Sequence, residues 1–262
     1  MSHINGGKYL WIVFFIGFFF FFLNIANVLG QTNHYTQFWN EFAFTRSLKG
    51  KWAAELNLGQ TWTSTADNKN MFYRNSQIYV RGWIHYYASA RWKLSSFLSY
   101  YYNKSVPEIS QEELPELRFA IQGTYYIHKV GYTLLTRFRI EDRKLKNNDG
   151  AWEAFYRFRA QLKMVLPLNG RTIRKGVFYG IASDELFFKT GALLTGDQFF
   201  DRNRLTLGAG YSFTDDIQVE VTYANEYLPR EGANELYNAL QVNFAFNNLL
   251  PNLKKSLFKK KE

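Results

Sequence analysis

Leu240-Gln241-Val242-Asn243-Phe244-Ala245-Phe246 is the stretch that decides the fold. Apolar side chains stand at every second position, with polar or small ones between. A period of two sends successive side chains to opposite faces of a β-strand, whereas a helix repeats near 3.6. Working back from Phe246 to Phe38, the alternation recurs over 35–46, 51–62, 71–84, 89–102, 116–127, 130–142, 151–165, 175–184, 202–213, 216–227 and 235–246. The chain therefore predicts an all-β fold. Closure into an up-and-down antiparallel barrel is the natural way to hide the sheet edges.

The connections alternate in length. Short ones fall at Ser47–Gly50, His85–Ala88, His128–Lys129, Pro167–Arg174 and Thr214–Asp215, and longer ones at 63–70, 103–115, 143–150, 185–201 and 228–234. That asymmetry matches outer-membrane barrels, with short periplasmic turns and longer extracellular loops. Bacterial barrels of this kind have an even number of strands. The expectation is ten to twelve strands, twelve preferred, with a further strand sought within 185–201 or near the N-terminus.

Length fits one domain. Residues 1–30 read as a secretory signal peptide: Lys8 supplies the positive start, Tyr9 to Leu23 the apolar core, and Val28 and Gly30 the small residues before Gln31. The competing reading is an uncleaved anchor helix. Residues 31–250 form the barrel and 251–262 a lysine-rich tail. Of the formal charge of +10, much sits in that tail, where Lys254, Lys255, Lys259, Lys260 and Lys261 face Glu262 alone. We read the tail as a solvated extension rather than a nucleic-acid arm. The chain has no cysteine, which excludes a disulfide framework and thiolate chemistry.

Alternation alone leaves open which face meets water. A soluble barrel places its apolar face inside and a membrane barrel outside. The charged face decides it. Arg137, Arg139, Glu141 and Arg143 lie opposite Leu134, Thr136, Phe138 and Ile140, while Glu153, Arg157, Arg159, Gln161 and Lys163 share the polar side of the next segment. Arg202 and Arg204 follow, then Gln218, Glu220 and Glu226. Such ladders suit a narrow polar lumen in which guanidinium groups pair with carboxylates across neighbouring strands. Trp39, Trp52, Trp62, Trp83, Trp92 and Trp152 fall near segment ends, where an interfacial aromatic girdle belongs.

Four motifs carry a family resemblance: Glu116–Phe119 (ELRF), Thr136–Arg143 (TRFRIEDR), Asp184–Phe188 (DELFF) and Phe200–Tyr211 (FDRNRLTLGAGY). They resemble the family catalogued as domain of unknown function 2490, across about 35–246. The resemblance implies a transmembrane β-barrel in the outer membrane of a Gram-negative cell, and carries over no activity or site residues. The partners expected from that location are outer-membrane lipid, lipopolysaccharide and the barrel-assembly machinery, with no nucleic acid.

Catalytic signals are weak. His34, His85 and His128 are read as a strand start and two turn residues, with no serine and carboxylate beside them. No metal cluster, G-x-S-x-G elbow or phosphate loop stands out, and no cofactor is expected. Adjacent Asp184 and Glu185 point to opposite faces. If the strand ends at Asp184, Glu185 can turn inward and accept from Arg202 or Arg204. The candidate site is thus a lumen charge ladder, structural or anion-attracting, of Arg118, Arg137, Arg139, Glu141, Glu153, Arg157, Arg159, Glu185, Arg202, Arg204 and Glu220, in a lumen more filled than open. The expected role is structural or a small anion-favouring passage. The alternatives are a barrel enzyme acting on lipid or peptide at the outer rim, and a soluble periplasmic barrel around an apolar ligand.

Overall fold

The structure, a computed structural model, describes residues 32–109, 111–147, 149–192, 196–230, 232–249 and 252. The segment read as a signal peptide and nearly all of the lysine-rich tail lie outside them. Eleven strands follow in order: β1 (Thr32–Ser47), β2 (Trp52–Thr63), β3 (Arg74–Tyr87), β4 (Trp92–Asn103), β5 (Leu114–His128), β6 (Thr133–Lys146), β7 (Trp152–Pro167), β8 (Phe178–Lys189), β9 (Phe200–Ser212), β10 (Ile217–Leu228) and β11 (Asn234–Asn247). Each pairs antiparallel with its neighbour in sequence, and β1 pairs parallel with β11 to close the barrel.

Eleven lies within the expected ten to twelve, while the preferred twelve is not found among the described residues. Among the described residues of 185–201 no further strand is found, since β8 continues to Lys189 and β9 begins at Phe200. With an odd count, first and last strands run the same way, and a parallel pair is the only closure left. The seam keeps both faces in phase. Phe42 stacks beside Phe244 and Phe44 beside Phe246 on the outside, with ring centroids 5.0 and 4.9 Å apart. On the inside, Tyr35 and Tyr237 stack at 5.2 Å.

Connections 48–51, 88–91, 129–132, 168–177 and 213–216 define a short-turn end, and 64–73, 104–113, 147–151, 190–199 and 229–233 a long-loop end. The exception is 168–177, which is as extended as the opposite loops. Ala192, just after β8, packs against Leu145 and Phe155 at the rim.

Polarity is reversed relative to a soluble barrel. Leu98 and Phe138 are 64% and 60% exposed, whereas Glu116 and Glu141 are fully buried at 0%. The apolar set of each strand points outward and the charged set inward. Two inward tyrosines show how close the walls approach. A Cβ at Gly59 would stand 2.3 Å from the Tyr79 ring, and one at Gly210 2.3 Å from Tyr179. The missing side chains make room for each ring to lie across the neighbouring strand. From there the hydroxyl of Tyr79 donates to Glu41, and that of Tyr179 to Glu220 at 3.2 Å.

The tryptophan expectation holds in part. Trp52, Trp62, Trp92 and Trp152 belong to the outward sets at strand ends. Trp83 instead packs inside against Phe97 and Ala120, and Trp39 lies beneath the Arg204 guanidinium. Alternation assigns these two inward, and proximity to a segment end carried no information about face.

Candidate functional site

The inner surface of β5 to β10 is built from carboxylates that each hold several guanidinium groups. Strand alternation sends Arg137, Arg139, Glu141 and Arg143 of β6 inward together, and register sets Glu141 level with Arg157 of β7 and Glu226 of β10 level with Arg204 of β9. Glu116 accepts from Arg118 at 2.5 and 2.8 Å and from Arg143 at 2.9 Å. Glu141 accepts from Arg139 at 3.2 Å, Arg157 at 2.8 Å and Arg159 at 2.8 Å. Glu185 takes Arg137 at 2.6 Å and Arg159 at 2.9 and 2.8 Å. Arg159 thereby links two carboxylates into one network. Charge-assisted contacts of this bidentate kind are the strong ones.

A second cluster centres on Glu226, which holds Arg202 and Arg204. Asp201 accepts from Arg202 at 3.0 Å and stands 3.9 Å from Arg157 and 3.4 Å from Arg230. Aromatic faces close over the guanidinium planes: Arg118 lies 3.6 Å from the Tyr101 ring and Arg159 4.4 Å from Phe187.

Of the expected ladder, the structure brings Arg118, Arg137, Arg139, Glu141, Arg157, Arg159, Glu185, Arg202 and Arg204 into these clusters. Glu220 is inward but is held by Tyr179, and Glu153 stands opposite Leu145 near the long-loop end. The proposed partners of Glu185 need correcting. Because β8 does not end at Asp184, Glu185 faces inward by alternation; it lies level with Arg204, as expected, but its hydrogen bonds come from Arg137 and Arg159 of β6 and β7. Asp184 faces outward, accepting from Asn203 at 2.6 Å. Sequence reading missed Glu226 as the partner of Arg204, although a signal was present. Arg204 and Glu226 lie eleven positions either side of Asp215, and their strands pair symmetrically about that turn.

His85 also needs correcting. It is an inward residue of β3, not a turn residue, since β3 runs three positions further than expected. Its Nδ1 lies 2.8 Å from Ser95 Oγ and its Nε2 3.5 Å from Glu55 Oε2. All three groups sit toward the short-turn end, apart from the cavity described next. His128, by contrast, sits at a strand end with Nε2 2.7 Å from the Val130 carbonyl. Among the described residues no group of three His, Asp or Glu is placed to hold a metal ion.

The interior is not filled throughout. A cavity of about 1080 Å³ runs between the two clusters and reaches the long-loop end at Ile109, Gln111, Glu112 and Arg230. Toward the other end, Trp83, Phe97, His85, Ser95 and Tyr179 are buried. Among the described residues, twelve Arg and Lys line the cavity against seven Asp and Glu. Counting Glu116 and Glu141 buried behind them, cations still exceed acids by three.

Fold and interior together define a closed β-barrel with an apolar exterior and an arginine-rich core. The chain matches a protein-family model over residues 36–237, described as a protein of unknown function (DUF2490), and it belongs to that family. A search of curated proteins returned no match.

Proposed function

We propose that this barrel spans the outer membrane of a Gram-negative cell and admits small anionic solutes to its cationic chamber from the long-loop end. One observation carries the reading: the reversal of polarity, with bulky apolar side chains exposed around the outside and guanidinium groups buried within. In water that arrangement wastes the hydrophobic effect, and in a bilayer it satisfies both surfaces. Outward Trp52, Trp62, Trp92 and Trp152 at strand ends support it as interfacial anchors. The secretory pattern of residues 1–30 and the alternating last strand ending in Phe246 supply export and recognition by the barrel-assembly machinery. Lipopolysaccharide then surrounds the long-loop half. The eleven strands depart from the even number usual in bacterial barrels.

The excess of cavity cations favours anions, because a charged wall around a low-dielectric lumen concentrates counter-ions. A soluble barrel around an apolar ligand is not favoured, since charged and amide groups line the large interior cavity. Cell fractionation and planar-bilayer recording test the proposal. The protein is expected in the detergent-extracted outer membrane, and its reversal potential in a potassium chloride gradient is expected on the chloride side. Recovery in the periplasmic supernatant overturns the membrane assignment, and cation preference overturns the anion assignment.

A further inference from the structure

Most guanidinium groups of the interior are committed to carboxylates, but one patch of the cavity wall holds donors with no acceptor. Lys163 of β7 lies opposite Ser183 of β8, which in turn lies opposite Thr206 of β9. Gln161 is two positions from Lys163 on the same face and lies opposite both Arg137 and Glu185. All six side chains line the cavity. Inward neighbours along or across strands stand about 5–7 Å apart, so one small ligand can touch several of them.

Among the described residues, the Lys163 ammonium, the Gln161 amide and the Ser183 and Thr206 hydroxyls make no side-chain hydrogen bond or ion pair. Arg137 gives Nη2 to Glu185 at 2.6 Å and keeps a buried Nε–H without an acceptor. That buried donor left unpaired is costly, and an incoming acceptor removes the cost. The local charge has a definite sign. Arg137 and Lys163 face the carboxylate Glu185, with Arg159 shared between Glu185 and Glu141, so the patch is net positive. Lys93 behind them is a further cation acting on this group.

We propose that Lys163, Arg137, Gln161, Ser183 and Thr206 form a binding site for a doubly charged tetrahedral oxyanion, a phosphate group either free or as a small monoester. The net positive charge of the patch favours a multiply charged anion. Its several oxygens match a set made of ammonium, guanidinium, amide and hydroxyl donors. A monovalent halide leaves most donors unpaired. The proposal rests on the anion-favouring reading of the lumen.

The test is titration calorimetry of the full-length barrel, folded in detergent, with inorganic phosphate and separately with glycerol 3-phosphate. Saturable binding of one or both is expected, and the tighter of the two identifies the source. Lys163→Met is expected to weaken binding at least tenfold, Lys163→Arg to restore most of it, and Lys144→Gln, outside the interior, to leave it unchanged. Folding of each variant is checked by its heat-modifiable gel mobility. Absence of phosphate binding in the native barrel, or equal affinity in folded Lys163→Met, overturns the site. If bilayer recordings of the same preparation still show chloride preference, only the site has failed. If they show cation preference, the reading beneath it has failed as well.

Discussion

The two halves of the barrel wall solve the problem of a polar interior differently. From β5 to β10, the interior is held by carboxylates shared among arginines, as where Arg139, Arg157 and Arg159 converge on Glu141. From β1 to β4 the inward side chains are mainly aromatic, amide and hydroxyl groups: Trp83 against Phe97 with centroids 4.5 Å apart, Tyr79 over Gly59, and Asn57 donating to Glu41 and Glu55. Arg81 with Glu41 is the strongest ion pair there. The difference teaches that charge is concentrated on one side because a buried guanidinium is tolerable only in a network, and a network needs several consecutive strands. The other side supplies quadrupolar ring faces that receive the outermost arginines, such as Arg118 over Tyr101.

The sharpest way to break this comparison is to remove the hub of the charged half. Glu141→Gln leaves three buried guanidinium groups without their common anion and is expected to destabilise the barrel by about 3–5 kcal/mol. Glu41→Gln, in the other half, is expected to cost about 1–3 kcal/mol. Thermal loss of the compact, fast-migrating gel band gives both, and equal losses would contradict the division. A smaller effect concerns which strands the network joins. A double-mutant cycle of Arg204 and Glu226 is expected to show coupling of about 1 kcal/mol or more, and one of Arg204 and Glu185 distinctly less.

The smallest effect belongs to the rim, outside both walls. Arg74 donates to Glu108 from Nε at 3.2 Å and Nη2 at 2.6 Å. This guanidinium holds the Glu108 carboxyl below its ordinary value of 4.5. A folded-state value below the unfolded one means the clasp stabilises above about 4.5 and fades as pH falls through the lower folded value. Amide exchange in the loop around Glu108 is expected to accelerate as pH drops from 5 toward 3, after correction for intrinsic rates. The Arg74→Gln variant is expected to lose that dependence.

The strands themselves were legible because period-two alternation is local and every strand carries it. Their ends were less so. Phe72 and Tyr73 extend the apolar pattern into a loop, which pulled β3 toward the N-terminus and left His85 in a supposed turn. The eleven alternating segments carried the strand count, but nothing within β1 or β11 says that its neighbour runs parallel, so the even number usual in bacterial barrels drew the expectation to twelve. The inward arginines were legible as a set, because an alternating face assigns them without any partner. Their partners required register and side-chain conformation together: Arg204 lies level with both Glu226 and Glu185, and its guanidinium reaches Glu226. The cavity was invisible at that level, because how far long side chains fill a lumen depends on their conformations in three dimensions.

Parallel closure has a consequence for chain connectivity. The polypeptide enters the wall at the long-loop rim and leaves it at the short-turn rim, so Thr32 and Asn247 are held at opposite mouths. Fourteen paired residues separate those rims along the seam, a span of about 45 Å of extended chain. No short linker can join the two ends, which bars the circular permutations open to barrels whose first and last strands meet head to tail. Peptide tags placed before Thr32 and after Asn247 accordingly start from opposite sides of whatever barrier the barrel crosses, and one molecule reports on both compartments.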